Sequence, residues 1–348
     1  MRKTIAPLPS SGGGGKLVPA CLWALLLAGM LATCVLVGAW SEPAKAAFPG
    51  TNGRIAFEGY RVFDVSPEGN TTEAPEIITV RPDGTGMKQL TQASGSSDPD
   101  FSPDGTKIAY SGSPSIVEIY EDIYVMARSG KGKKALTDTD DRNEWGPAWS
   151  PGGTKIAFLR EQPFTREDGS TGSQPDIWVM KADGSEQRKI TDNPAFENGL
   201  TWSPDGTKIA FEQDGDIWTI APDGLGRTNL TDTPEAVEVN PDFSPDGQKL
   251  AFAGTFDHTD FEIYTMNLVD GSALTNVTDN NAHEDEPAWS PSGTKIAYRK
   301  NVRNKDTGIR NNEIFTKSAS GTGSVKNVSK HPNSDGSPDW GPRPTAGG

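Results

Sequence analysis

Between residues 54 and 342 the chain alternates short apolar runs with short polar turns, and one apolar triplet sets the rhythm. It occurs as Ile55-Ala56-Phe57, Ile108-Ala109-Tyr110, Ile156-Ala157-Phe158, Ile209-Ala210-Phe211, Leu250-Ala251-Phe252 and Ile296-Ala297-Tyr298, six copies in all. Their spacing, roughly 40 to 55 residues, is that of a propeller or solenoid repeat. After each triplet and a variable segment comes an acidic residue with a β-rich run: EIITV from 76, DIYVM from 122, DIWVM from 176, DIWTI from 216, EIYTM from 262 and EIFTK from 313. Isoleucine, valine, threonine and aromatics suit a pleated surface, and the Asp-Gly or Ser-Gly closing most of these runs marks a hairpin. A third run follows each, as KQLT, KALT, RKIT, TNLT, TNVT and KNVS.

A fourth element carries an aromatic residue ahead of a turn: Phe101, Trp149, Trp202, Phe243, Trp289 and Trp340. Trp340 has no triplet after it, and the first triplet has no aromatic strand before it. The two ends are complementary halves of one repeat. An open solenoid has no need of that, whereas a closed ring of four-stranded blades does, because closure leaves only short, protected edges. The fold class expected is all-β, a six-bladed β-propeller of antiparallel blades over residues 48–342. Its C-terminal strand completes the N-terminal blade, and residues 343–348 form a flexible tail.

The turn between the aromatic strand and the triplet reads Ser102-Pro103-Asp104-Gly105, Ser203-Pro204-Asp205-Gly206 and Ser244-Pro245-Asp246-Gly247, with variants Ser150-Pro151-Gly152-Gly153 and Ser290-Pro291-Ser292-Gly293. Proline presets φ at the second turn position and glycine supplies a positive φ later. Asp is lost twice while Pro and Gly persist in all five copies, so the motif is punctuation for the backbone and not repeated chemistry.

The pattern Pro-x-(Trp/Phe)-Ser-Pro-Asp-Gly-x-Lys-Ile-Ala-(Phe/Tyr), followed by Asp-Ile-(Tyr/Trp)-x-Met-x-x-Asp-Gly, resembles the WD-like repeats of TolB-type propellers over roughly residues 48 to 342. Such blades also occur in prolyl-peptidase propellers and in other exported proteins, so the resemblance implies a fold more than an activity. TolB itself has an α/β domain ahead of its propeller, and here only a few residues separate Ala47 from the first repeat. The resemblance is therefore to the propeller alone, and TolB's chief partner, the peptidoglycan-associated lipoprotein, is not carried over.

Composition changes this picture in two ways. The formal net charge is -14, with 39 Gly and 27 Pro among 348 residues. Such an acidic chain repels a phosphate backbone, which excludes nonspecific nucleic-acid binding. The first 47 residues then stand apart: Arg2, Lys3 and Lys16 precede an apolar run from Leu17 to Trp40, and Ala44-Lys45-Ala46-Ala47 supplies an A-x-A site. This reads as a signal peptide and predicts export to the periplasm, cell envelope or exterior. The alternative is an uncleaved anchor through residues 17–40, which are enough to span a bilayer. Membrane contact is expected only through that segment. Both cysteines, Cys21 and Cys34, lie inside it, so the remainder has no disulfide, thiol nucleophile or cysteine metal site.

In a propeller, the links between second and third strands share one face with the links between blades. That face is variable here, and loops carry function more often than scaffolds do. Three residues before the inner-strand proline position lie Glu144, Glu197, Glu238, Glu284 and Asp335, with Ser96 in the remaining repeat. A ring of carboxylates at the channel mouth would bind Ca²⁺, which takes oxygen ligands, or a basic peptide end. The alternative is that each caps backbone N–H groups of its own or the next blade, and the repetition argues for this. Segments 58–75, 159–175 and 299–312 read as long loops. The last holds Arg299, Lys300, Arg303, Lys305 and Arg310 against Asp306 alone, a basic island suited to an acidic partner or cell-wall polymer, or else simply solvated.

Enzyme readings have less to stand on. The sequence contains no Gly-x-Ser-x-Gly, His258, His283 and His331 fall in different repeats, and His283-Glu284-Asp285-Glu286 is the one cluster of note. The expected function is a monomeric, exported binding or scaffold propeller, without a dedicated cofactor, that engages a protein, peptide or envelope polymer. The alternative is a hydrolase or lyase using channel-facing carboxylates.

Overall fold

The computed structural model describes residues 49–344 except 65–70, 93–94, 114–119, 166–168, 257–259, 270, 304–307 and 309. The segment expected to be a signal peptide, His258, Lys305, Asp306 and residues 345–348 lie outside the described residues. The described chain forms six four-stranded antiparallel sheets. In sequence order their inner strands are Asp335–Pro342 for blade 1, Ser97–Phe101 for blade 2, Glu144–Trp149 for blade 3, Glu197–Trp202 for blade 4, Glu238–Phe243 for blade 5 and Glu284–Trp289 for blade 6.

The triplet explains how the blades stack. Its strand is covered on both sides, and all six triplets are buried. Within a triplet the outer two side chains face the preceding blade and the central Ala faces the following one. Ala56 of blade 1 packs with Phe101, Ile108 and Tyr110 of blade 2, and Ala109 with Trp149, Ile156 and Phe158 of blade 3. Ala157, Ala210 and Ala251 repeat the arrangement, and Ala297 of blade 6 meets Ile55, Phe57 and Trp340 of blade 1. The sixth interface returns to the first blade, so the sheets close into a ring: the molecule is a six-bladed β-propeller. Each large side chain so buried contributes about 1.5–3 kcal/mol.

Two further repeat positions acquire reasons. In the outer run the hydroxyl accepts the N–H of the third-strand Ile in every blade: Thr91 from Ile77 (2.8 Å), Thr137 from Ile123 (2.8 Å), Thr191 from Ile177 (2.8 Å), Thr231 from Ile217 (3.0 Å), Thr278 from Ile263 (2.9 Å) and Ser329 from Ile314 (3.0 Å). It ties a two-residue outer strand to its sheet, where ladder bonds alone are few. In the Ser-Pro turns, the Gly105 N–H donates to Ser102 O (2.7 Å), and the Asp-free turn keeps the same bond from Gly153 to Ser150 (2.8 Å). Asp104 adds local bonds from Ser102 Oγ (2.6 Å) and Thr106 N (3.0 Å).

The three segments read as long loops are largely strand. In blade 1, strands Asn52–Asp64 and Thr71–Val80 pair out to Asp64↔Thr71; in blade 3, Lys155–Thr165 and Thr171–Lys181 pair out to Thr165↔Thr171; in blade 6, Lys295–Arg303 and Arg310–Ser318 pair out to Arg303↔Arg310. Once two strands are in register, their ladder propagates through residues of low β-propensity such as Gln162, Pro163, Ser173 and Gln174. Blade 4 instead turns back directly after Gln213↔Asp216, through Asp214 and Gly215 at positive φ.

Blade 1 is closed by both ends of the chain, with Ile55 paired to Trp340 and Asn52 to Pro342. Trp340 is wholly buried. Deleting residues 335–348 is expected to abolish the single cooperative melting transition expected of the intact chain, because it removes one whole inner strand and opens two blade interfaces. A truncated protein with an unchanged calorimetric transition would contradict ring closure through this strand.

Candidate functional site

The five carboxylates anticipated as a channel ring sit between blades. Glu144, Glu197, Glu238 and Glu284 are completely buried and Asp335 nearly so. Each begins an inner strand, and its side chain reaches hydroxyl, amide or basic groups around it. Glu197 accepts Thr191 Oγ1 (2.5 Å) from blade 3, Glu238 accepts Thr233 Oγ1 from blade 4, and Glu284 accepts Asn280 Nδ2 (2.9 Å) from blade 5. Arg160 pairs with Glu144, Lys300 with Glu284, and Arg61 with Asp335 (3.2 Å). Burial raises the carboxyl pKa of all five, Asp335 to about 6. Ser96 occupies the sixth position and is also buried.

The basic segment is likewise divided by its strand geometry. Arg299 lies one residue beyond its triplet and turns inward: its Nε donates to Asp285 Oδ1 (2.6 Å), its Nη2 to Asp285 Oδ2, and its Nη1 lies 3.0 Å from Glu286 Oε1. Lys300 is spent on Glu284 and Asn280. Arg303 and Arg310 face each other in register near the hairpin end, where Arg303 Nε donates to Gly308 O (3.1 Å) and Arg310 Nη1 to Asn301 Oδ1 (2.8 Å).

The channel itself is built from the next residues along each inner strand. A cavity of about 240 Å³ is lined by Asp98, Asp100, Asp242, Glu286 and Asp339 with the inner-strand prolines and tryptophans. Every inner strand shifts register against its neighbour just after its start. At that bulge stands a residue with positive φ: Asp98, Gly146, Gly199, Asn240, Glu286 and Ser337. Glycine suits the left-handed region, whereas Glu286 and Ser337 enter it at a steric cost of about 1–3 kcal/mol each. A bulge re-aims the side chain, and here it turns these residues to the axis.

Two tiers of acids result. Nearer the variable face, Asp98 accepts Ser337 Oγ (3.1 Å) and Ser111 Oγ (3.2 Å), and Glu286 accepts the Ser337 N–H (2.7 Å). Glu58 and Glu212 join from second strands, one residue past their triplets like Arg299, and Glu212 accepts the Asn240 N–H (3.0 Å). Burial raises the Glu58 carboxyl well above its usual range, with the Asp98 and Glu286 charges adding to it, and pushes Glu286 to about 7 against the pull of Arg299. Arg299 and His283 hold Asp285 low in spite of its burial.

In the lower tier each aspartate bonds a backbone N–H of the following blade. Asp339 accepts from Phe101 (2.7 Å), Asp100 from Trp149 (2.6 Å) and Asp242 from Trp289 (2.6 Å). Burial pushes Asp242 and Asp339 to about 7, and Asp100 is raised by burial and then by the charge of Asp339. Among the described residues, no three His, Asp or Glu side chains converge as a metal-binding group. Apart from Glu286, which falls in the His283–Glu286 cluster, sequence reasoning did not single out these channel acids. Their signals were the residues on either side of the inner-strand proline, the one before it for the upper tier and the one after it for the lower, and the residue just after each triplet.

Comparison with known proteins agrees with this architecture. Residues 51–217 match the family model described as the TolB beta propeller domain. Over 61 residues, 18% of this chain and 12% of the relative, the chain is 43% identical to the Tol-Pal system protein TolB of Anaeromyxobacter dehalogenans. It is 26% identical over 223 residues to the uncharacterized peptidase YuxL of Bacillus subtilis, covering 63% of this chain but only 31% of YuxL. Among solved structures, TolB from Acinetobacter baumannii superposes with a TM-score of 0.66 at 20% identity, over 85% of this chain and 68% of that one, a likeness of fold.

The lower tier makes the ring sensitive to pH. Asp242 and Asp339 have raised pKa values in the folded state, so the stability they contribute is full below about pH 4, where the unfolded carboxyls are also protonated. It is lost as pH rises through about 7. Asp242→Asn keeps an acceptor for the Trp289 N–H and removes the buried charge. Urea titrations from pH 4.5 to 8 should show the variant matching the wild type at the acid end and exceeding it by on the order of 2 kcal/mol at the alkaline end.

Proposed function

We propose that this chain, a TolB-type six-bladed β-propeller, is an exported binding scaffold that seats a basic side chain or chain end of a protein partner in the mouth of its channel. One observation carries the reading. The upper tier gathers Glu58, Asp98 and Glu286 around a single guanidinium, Arg299, which is already engaged by Asp285 and Glu286. Carboxylates crowded in this way repel one another and resist ionisation, and a cation entering between them relieves both penalties. Glu286 and Asp98 are also held at positive φ, which places backbone strain where a ligand would repay it.

The extended hairpins of blades 1, 3 and 6 rise on the same face as this mouth and would frame a partner. The five inter-blade carboxylates then act as latches that hold the frame, and Ca²⁺ is not needed in this reading. TolB-type propellers bind proteins in the envelope, which supports a protein partner. The expected signal segment at residues 1–47 fits export.

Fluorescence anisotropy with short peptides bearing lysine or arginine, against their acetyl-lysine and citrulline counterparts, tests the proposal. Binding should require the positive charge, weaken as salt is raised, and drop about tenfold or more in Asp98→Asn/Glu286→Gln. Binding indifferent to peptide charge, or unaltered in that variant, would sink it. Turnover of a peptide or glycan that ceases in the same variant would establish channel-acid catalysis instead.

A further inference from the structure

A second charged site lies at the opposite face, over the seam where the two chain ends meet. A cavity of about 520 Å³ there is lined by Arg54, Arg81, Arg128 and Arg343, with Asp83 as its one acidic member. The Asp83 carboxylate is already satisfied within its own turn, by the Thr85 N–H (2.9 Å) and Thr85 Oγ1 (2.6 Å). Among the described residues none of the four arginines has a carboxylate partner. Arg54 is fixed from behind, its Nε donating to Thr79 Oγ1 (3.0 Å) and its Nη2 to Thr79 O (3.0 Å) and Gly86 O. Four guanidiniums thus converge on a protein whose net charge is -14. Burial lowers the Arg54 pKa, and the charges of Arg81 and Arg128 lower it further.

The repeat shows that the fold does not require all of these charges. At the position of Arg54 the other blades carry Lys107, Lys155, Lys208, Lys249 and Lys295. At the position of Arg128 they carry Pro82, Ala182, Pro222, Leu268 and Ala319, all without charge. Arg343 stands where the Ser-Pro turns have Asp104, Gly152, Asp205, Asp246 and Ser292. Arg128 and Arg343 each add a positive charge where no other blade has one, and Arg54 exchanges the repeat's lysine for a guanidinium, all around one cavity at one seam. Repeat positions serve the scaffold, and departures that converge serve something else.

We propose that this pocket binds a phosphate group, carried on a lipid headgroup or on a soluble phosphate ester. A guanidinium presents a planar fork of donors to phosphate oxygens, and several forks around one cavity match a tetrahedral, multiply charged oxyanion better than a single carboxylate. The cavity is wider than one phosphate and leaves room for its substituent. The site also lies away from the acidic channel mouth, whose field would repel an anion.

The full chain and the variant Arg54→Lys/Arg81→Ala/Arg128→Ala provide the test. Each replacement is a residue that another blade already uses at that position, so the ring should form, as circular dichroism and melting will show. Isothermal titration with inorganic phosphate and glycerol phosphate forms one arm; co-sedimentation with phosphatidylglycerol vesicles, against phosphatidylcholine, forms the other. Wild-type binding in either arm that falls at least about tenfold in the variant supports the site, and the arm in which it falls identifies the carrier. Failure of the wild type to bind in both arms, or binding unchanged in the variant, overturns it. Should the triple variant not fold, Arg128→Ala alone, which restores the alanine of blade 3, is read by the same criteria.

Discussion

The ring depends on one small side chain used six times. The central Ala of each triplet leaves space for the next blade's aromatic residue and for the large residues of its triplet. A larger group there would drive two sheets apart, and overpacking of a close-packed interface costs about 1–3 kcal/mol. Because the interfaces run in a circle, a displacement at one is passed to the others until the seam fails to meet. The twofold demand on each second strand, apolar on both faces and narrow on one, is why the triplet is the least variable part of the repeat.

With the walls set by packing, the axis is free to carry charge. The inner strands need apolar contact only at their aromatic ends. Ahead of those, a bulge and a proline release the strand from strict pairing and turn one residue of every blade toward the channel. Three aspartates in the lower tier then serve the scaffold, each gripping a backbone N–H of the next blade, while the upper tier remains short of counter-ions. The same chain thus uses carboxylates in two ways at neighbouring levels of one cavity, and hydrogen-bond donors decide which.

Most of the fold was legible because its signals are local and repeated: the triplet, the hydroxyl of the outer run, the Ser-Pro turn, and the complementary halves at residues 55 and 340. The site was less so. Alternation along a strand assigns faces only while pairing is regular, and the bulge after Glu144 or Glu284 moves the channel-facing role to Gly146 or Glu286. The acids read either as a mouth ring or as caps within the blades are buried between blades. Arg299, read as part of a basic loop, is a second-strand residue at the channel, because the hairpin register of blade 6 continues past Tyr298. The arginines of the seam were invisible individually, since they are brought together only by the meeting of the two ends.

That meeting has a consequence for how the molecule comes into being. In a chain made from its N-terminus the strand Asn52–Asp64 emerges well before its inner neighbour, Asp335–Pro342, which follows every other described strand of the ring. Until then blade 1 has a bare edge, the kind of surface that recruits foreign strands. Contacts this distant in sequence are slow to form. The partly emerged chain is therefore an open arc with one unprotected edge, and residue 342 must be free before the propeller exists as a closed object. Construction waits on its final strand.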